Sequence, residues 1–234
     1  MKKSVLFLAA AMLMLAGCNN AEKAEPKSEC EATASLAAIA EIPYSETTVN
    51  PKEGKRVLVV CGSPRHGGND DLLCDEFVKG ATEVGGVVEK VFLADYELEF
   101  LSEEAANQPK SISHDTPTGQ LVDKFLNADV VCLASPTYYM NVSDRMKAFM
   151  DATYIGYGDS RMSGKEYYYI TACADNEANT AEWCFNGFRG FVYCLPNSTE
   201  RGCVAAIGMG RAGAVQGTPY MQQAYELGKT INKK

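Results

Sequence analysis

Five short apolar runs, each followed by a stretch with helical spacing, constrain this 234-residue chain more than any other feature. The runs are "RVLVVC" (Arg56–Cys61), "VVEKVFL" (Val87–Leu93), "DVVCLAS" (Asp129–Ser135), "EYYYITA" (Glu166–Ala172) and "CVAAIG" (Cys203–Gly208). After the first comes "DDLLCDEFVKGATEV", with apolar residues at Leu72, Leu73, Phe77, Val78 and Ala81, the spacing of a helix that buries one face. "TGQLVDKFLNA", "DRMKAFMDATY" and "ANTAEWCFNGFRGFVYCL" read the same way, and "PYMQQAYELGKTIN" places Pro219 in a first turn that needs no N–H. Unbroken apolar strands between amphipathic helices predict a parallel sheet covered on both faces. The expected α/β fold is doubly wound and three-layered α/β/α, with five strands in the order 2-1-3-4-5. In that order the first and third strands flank the point where the winding reverses, and ligands sit there beyond the strand C-termini. The loops after Cys61 and Ala134 are therefore the predicted binding loops.

Both loops carry unusual residues. In "GSPRHGGN" (Gly62–Asn69) the glycines let the backbone turn so that N–H groups face an anion, and the following helix adds its positive end. Ser63 offers a hydroxyl, Asn69 an amide and Arg65 a fixed charge suited to phosphate oxygens. The loop lacks GxxxxGK[ST], which excludes a nucleoside-triphosphate site of that type. In "SPTYYMNVSDRMKAFMD" (Ser135–Asp151), Pro136 stiffens the turn. Tyr138, Tyr139 and Met140 put flat or polarizable groups at its tip, and Thr137 and Asn141 supply polar contacts.

From Lys55 to its end the chain resembles the flavodoxin-like, NAD(P)H-dependent FMN reductase family, which includes the flavin domains of iron–sulfur flavoproteins. The residues that carry the resemblance are the two loops just quoted, "FRGFVYCLPNSTERG" and the terminal "AYELGK". It implies a flavodoxin-like fold, flavin mononucleotide (FMN) as cofactor, NADH or NADPH as co-substrate, and pairing as a homodimer. By the resemblance, Ser63, Arg65, Gly68 and Asn69 hold the FMN phosphate, and Pro136, Thr137, Tyr138, Tyr139 and Asn141 frame the isoalloxazine ring. Thr171, Ala172 and Cys173 line its far side, mainly through backbone. No side chain is assigned as catalytic, because the flavin carries the chemistry and the protein positions it.

The chain departs from the family pattern at three places. Asp70 stands where the family has threonine or serine, and it either repels a phosphate or turns inward as a helix N-cap. The segment "ADYELEFLSEEAANQPKSISHDTP" has no cysteine where iron–sulfur members carry cluster ligands, so no cluster is expected. Ala152 stands where arginine is common in the family, which alters a local ion pair or the subunit contact.

The N-terminal residues have a separate logic. Lys2 and Lys3 precede an apolar stretch from Val5 to Leu15 that ends in Leu15-Ala16-Gly17-Cys18. This resembles a bacterial lipoprotein signal, with cleavage before Cys18 and a lipid on its thiol. The expected organisation is a signal peptide over 1–18, a solvated tether over 19–54 and the FMN-binding domain over 55–234. The tether contains "ASLAAIAEI", a candidate short helix packing on the domain. The expected location is the cell envelope, anchored to a membrane on its periplasmic or outer-membrane face. The net charge of −8 becomes −10 without Lys2 and Lys3, which excludes a basic nucleic-acid footprint.

Eight cysteines follow Cys18, none spaced as CxxC, and they are expected mostly as free thiols, with Cys61, Cys132 and Cys203 as small core residues. "GMGRAG" (Gly208–Gly213) fits GxGxxG, but too few residues follow for the βαβ unit that a dinucleotide site needs, so it reads as a glycine-rich loop near the flavin rim. The functional expectation is an exported FMN-dependent oxidoreductase. It takes electrons from NAD(P)H or a partner protein and passes them to a quinone, a small electrophile or a redox partner. The alternatives are a flavodoxin-type electron carrier and a flavin-free lipoprotein that keeps the fold.

Overall fold

The computed structural model describes residues 54–108 and 113–233. The signal peptide, residues 19–53 of the tether with its "ASLAAIAEI" segment, and Cys30 lie outside the described residues. The elements are β1 (Arg56–Cys61), α1 (Asn69–Glu83), β2 (Val87–Phe92), α2 (Glu103–Asn107), α3 (Pro117–Asn127), β3 (Val130–Ala134), α4 (Asp144–Ala152), β4 (Glu166–Ala172), α5 (Ala178–Tyr193), β5 (Thr199–Ala206) and α6 (Pro219–Gly228). The sheet order is β2-β1-β3-β4-β5 and every pairing is parallel, as the sequence pattern requires. β1 lies inside the sheet, next to the edge strand β2: Val60 stands beside Val91 of β2 and Leu133 of β3. No helix of the described residues is long and apolar enough to cross a membrane.

Alternate residues of each inner strand feed two cores. Leu58, Val60, Val131, Leu133, Tyr167 and Tyr169 pack under α3, α4 and α5. Val57, Val59, Cys61, Val130, Cys132, Tyr168 and Ile170 pack under α1 and α6. Burial on both faces is why these strands carry no polar alternation. β5 differs: it starts at Thr199 rather than Cys203, and its first residues are exposed or half-buried. As an edge strand it is covered less, so Cys203 is exposed rather than a core residue, whereas Cys61 and Cys132 are fully buried. All seven described cysteines after the tether are free thiols. α4 ends at Ala152 and tightens into a 3-10 turn over Thr153–Gly156, short of the helix read from sequence. The short α2 has no apolar period; Ser102, whose hydroxyl accepts the Ala105 N–H, starts it.

α1 and α6 lie side by side at backbone contact. A Cβ placed on Gly80 would overlap the carbonyl oxygen of Tyr225, and one on Gly228 would overlap that of Phe77. Two glycines facing each other's main chain set this spacing.

At the end of the sheet opposite the predicted binding loops, Lys165 is buried. Its ammonium donates to the carbonyls of Leu126 (2.9 Å) and Ala128 (2.5 Å), closing the C-terminus of α3. Burial pulls its pKa down from 10.5 to about 7; Asp129 opposes the shift, and Arg56 and Arg161 add to it. Between those values the unfolded chain holds the proton and the folded chain does not, so stability rises with pH. Below 7 both states are charged and the slope vanishes. The buried thiols of Cys74 and Cys132 act oppositely, since burial and neighbouring thiols raise their pKa well above the ordinary 9.0. The clean window therefore runs from about pH 7 to about pH 9. Across it the urea midpoint of the wild type is expected to rise relative to that of Lys165→Met; parallel midpoints would show that Lys165 keeps its proton in the fold.

Candidate functional site

The β1–α1 loop and the β3–α4 loop meet at the switch point. Ser143, the N-cap of α4, joins them: its hydroxyl donates to Gly62 O (2.8 Å), and its N–H donates to Ser135 Oγ (2.8 Å). Gly62 N in turn donates to Ala134 O at 2.7 Å. A side chain on Gly62 would collide with Met146 Cβ and Ser143 Oγ, both 2.9 Å away, so only glycine lets the strands run this close into the turn.

Together the loops border a cleft of about 220 Å³. Ser63, Arg65, Gly68 and Asn69 line it from the first loop, Pro136, Thr137 and Tyr138 from the second, and Ala172 from the end of β4. Four other predicted residues do not line it. Tyr139 is fully exposed at the turn tip. Asn141 Oδ1 accepts its neighbour's N–H, from Val142, at 2.8 Å. Thr171 lies beneath the cleft floor, its hydroxyl on Ser135 O (2.7 Å) and Thr137 Oγ1 (3.0 Å). Cys173 is buried with its thiol toward Asp175 O, and its N–H donates to Ala206 O. Thr171 and Cys173 alternate with Ala172, the residue at the end of β4 that lines the cleft, and Tyr139 and Asn141 lie in the turn beyond Tyr138.

Within the first loop most donors are already engaged. Arg65 N donates to Ser63 Oγ (3.2 Å), Gly67 N to Asp71 Oδ2 (2.8 Å) and Gly68 N to Arg65 O (3.0 Å). Among the described residues, the main-chain N–H groups of Ser63, His66 and Asn69 have no partner. Lys90 on β2 braces the loop from behind, donating to Asp71 Oδ1 and Asp75 Oδ1, each at 2.5 Å. Arg65 is exposed and forms no ion pair among the described residues, so its guanidinium is the cation this cleft offers.

Asn69 lines the cleft, and its side chain is bonded within the protein. Its amide nitrogen donates to Met209 O and Arg211 O, both 2.8 Å, and its Oδ1 accepts Val215 N (3.2 Å). It ties the glycine-rich loop after β5 to α1, so Met209, Gly210 and Ala212 form a third wall. The GxGxxG pattern contributes that wall through backbone shape. Asp70 turns inward, but not as the N-cap, which is Gly68. It reaches the end of β4, where Oδ1 accepts Ala172 N at 2.8 Å. Thr137 N takes the carbonyl of the same residue (3.1 Å), so Ala172 offers a ligand no free backbone group.

The rim is a tight two-residue turn. Tyr138 and Asn141 exchange N–H···O bonds of 2.9 and 3.0 Å, and Tyr139 (φ 48°) and Met140 (φ 59°) between them lie in the left-handed region. That conformation costs an ordinary side chain about 1 kcal/mol. Met140→Gly is expected to raise stability by about 0.5 to 1 kcal/mol, read as a higher melting temperature, because glycine removes that strain. A lower melting temperature would mean that the methionine packs for more than the turn costs.

The arrangement fits a phosphorylated planar ligand: unpaired amides and one guanidinium at one end, a tyrosine-edged rim at the other. Asp70 alone opposes it. Comparison with known proteins points the same way. The model of a family described as NADPH-dependent FMN reductase matches residues 55–186. The iron–sulfur flavoprotein of Archaeoglobus fulgidus is 32% identical over 98 residues, 41% of this chain and 44% of that protein. The iron–sulfur flavoprotein MJ1083 of Methanocaldococcus jannaschii is 34% identical over 101 residues, 41% of this chain and 50% of that one. The chain thus spans about half the length of these two relatives. Among solved structures, the NAD(P)H:quinone oxidoreductase from Methanothermobacter marburgensis shares the fold, with a TM-score of 0.58 at 15% identity over 77% of this chain and 98% of that one.

Proposed function

The chain belongs to the NADPH-dependent FMN reductase family, a family of FMN-dependent NAD(P)H oxidoreductases, and we propose that it is the exported, lipid-anchored version of such an enzyme. In this reading electrons from NAD(P)H or a partner protein pass to a quinone, a small electrophile or a redox partner. The observation that carries it is the meeting of Ser63, Arg65, Thr137 and Tyr138 around one cleft at the β1/β3 switch point. FMN, when bound, supplies the electron-transferring ring. The protein's part is binding and placement. Arg65 and the Ser63 and Asn69 amides hold the phosphate, the Tyr138 turn edges the ring, and Ser143 keeps the two loops in register.

The anchor at Cys18 and the envelope location rest on the "LAGC" sequence and its basic, apolar approach. Nicotinamide nucleotides are scarce in such a compartment, which favours a membrane-linked or protein donor there. A second copy of the chain would extend the exposed Tyr138 rim. A flavin-free role draws its support from one residue, Asp70.

The purified protein is expected to be yellow. Arg65→Ala is expected to weaken FMN binding by about tenfold to a hundredfold, since one charge-assisted hydrogen bond is worth about 1.5 to 3 kcal/mol. Flavin fluorescence titration measures this. Rapid mixing with NADPH or NADH then separates the roles: full bleaching within a turnover marks an oxidoreductase, and a flavin that NAD(P)H leaves oxidised but that a one-electron donor such as reduced methyl viologen reduces in two separate steps marks a carrier. A colourless protein that takes up no FMN overturns both.

A further inference from the structure

Asp70 is the one feature of the cleft that the FMN reading leaves unexplained. It sits in the first turn of α1, lines the cleft beside Ser63, Arg65, Gly68 and Asn69, and is only 3% exposed. Its Oδ1 is fixed by the Ala172 N–H at 2.8 Å. Among the described residues, no other residue is a partner for Oδ2, and no cation pairs with the group. We propose that Asp70 meets the cofactor phosphate as a carboxylic acid, its Oδ2–H donating to a phosphate oxygen, so that loading of FMN takes up a proton from solvent. The inference rests on the FMN reading and assigns to this cleft a preference for the protonated complex.

The surroundings favour the acid. The groups facing Asp70 are Asp71 on its own helix, Arg65 in the loop before it, the Cys173 thiol at the end of β4 and the Cys184 thiol on α5. Asp71 is negative and shares its charge with Lys90. The two thiols are neutral, their pKa values raised first by burial, then at Cys173 by Asp175, and at both by Asp70. The loop after β5 presents Met209, Gly210 and Ala212, none of them charged, and the Arg211 carbonyl is taken by Asn69. Arg65, at the rim, is exposed and is kept for the phosphate. Burial, with the Asp71 charge adding to it, pushes the Asp70 carboxyl from 3.8 up to about 7, against the Ala172 N–H and its own N–H, which pull the other way. A phosphate brought against it raises it further, because two like charges cannot both persist at hydrogen-bond distance. A short O–H···O bond to an anion then replaces a repulsion.

FMN affinity of the full chain, read by quenching of flavin fluorescence, tests this from about pH 6 to about pH 8.5. Riboflavin serves as the probe without phosphate. Wild-type affinity for FMN is expected to fall about tenfold or more across the range. Asp70→Asn, which keeps a hydrogen-bonding side chain without the charge, is expected to bind FMN nearly independently of pH and about tenfold tighter than wild type at the alkaline end. Riboflavin affinity is expected to be flat and equal in both proteins. Asp70→Ser repeats the test should the asparagine variant fail to fold. Parallel FMN profiles for wild type and variant overturn the proposal. So does a variant that loses FMN at acid pH without gaining it at alkaline pH, which would confine Asp70 to holding β4. If neither protein, natively folded by circular dichroism, binds FMN or riboflavin at any pH, the FMN reading falls and takes the proposal with it. If both bind riboflavin but neither binds FMN, the ring site stands and the proposal fails.

Discussion

Gly80→Ala is expected to lower the melting temperature by about 4 to 8 °C, the shift that corresponds to a net loss of about 2 kcal/mol in a domain of this size. Two effects compete. Alanine is the better helix former by about 1 kcal/mol. Against that, its methyl must occupy the space of the Tyr225 carbonyl on α6. Overpacking typically costs about 1 to 3 kcal/mol, and more where nothing can give. Here the neighbour is main chain, and Gly228 presses on α1 in the same way, so neither helix can retreat without leaving the sheet. Gly190 on α5 is the control: a Cβ there meets nothing within 4 Å, so Gly190→Ala is expected to be neutral or stabilising. Equal melting of the two variants would mean that α1 and α6 slide apart at little cost.

Asn69→Ala has the second large effect, on stability and ligand binding at once. The substitution removes both bonds to the Met209 and Arg211 carbonyls and leaves the buried Val215 N–H without an acceptor. The carbonyls can turn to water; the N–H cannot, and an unsatisfied buried donor costs about 1 to 3 kcal/mol. A loss of about 2 to 3 kcal/mol is expected in the urea midpoint. The wall made by Met209, Gly210 and Ala212 then loses its tether, and FMN affinity is expected to drop about tenfold. Asn69→Asp keeps the acceptor for Val215 but turns a charged oxygen on the Met209 and Arg211 carbonyls, so it is expected to cost at least as much as Asn69→Ala. If Asn69→Ala lost flavin with its stability unchanged, the amide would be touching phosphate directly.

The fold was legible because a sheet buried on both faces leaves unbroken apolar strands, and β1 and β4 end where the sequence says. β5 was read late because its exposed edge dilutes the apolar signal. The two binding loops were legible from their glycines, serines and tyrosines. Which of their polar groups are already engaged was not: Asn69 and Thr171 are polar residues at the right address whose side-chain bonds go to their own protein. The roles of Ser143, Asp71 and Lys90 depend on partners far along the chain, such as the 81 positions between Gly62 and Ser143. Ser143 left a trace, as a serine opening a helix; Met209 and Ala212 belong to the glycine-rich loop that the sequence placed near the flavin rim.

The paired main-chain bonds of Tyr138 and Asn141 hold the turn at the cleft's rim to one backbone shape. Within that turn the part left free to move is the half-exposed phenol of Tyr138, which pivots on its own bonds in nanoseconds or less. Traffic in and out would then answer to what stands against that ring, a neighbouring molecule included, more than to any flexing of the scaffold behind it.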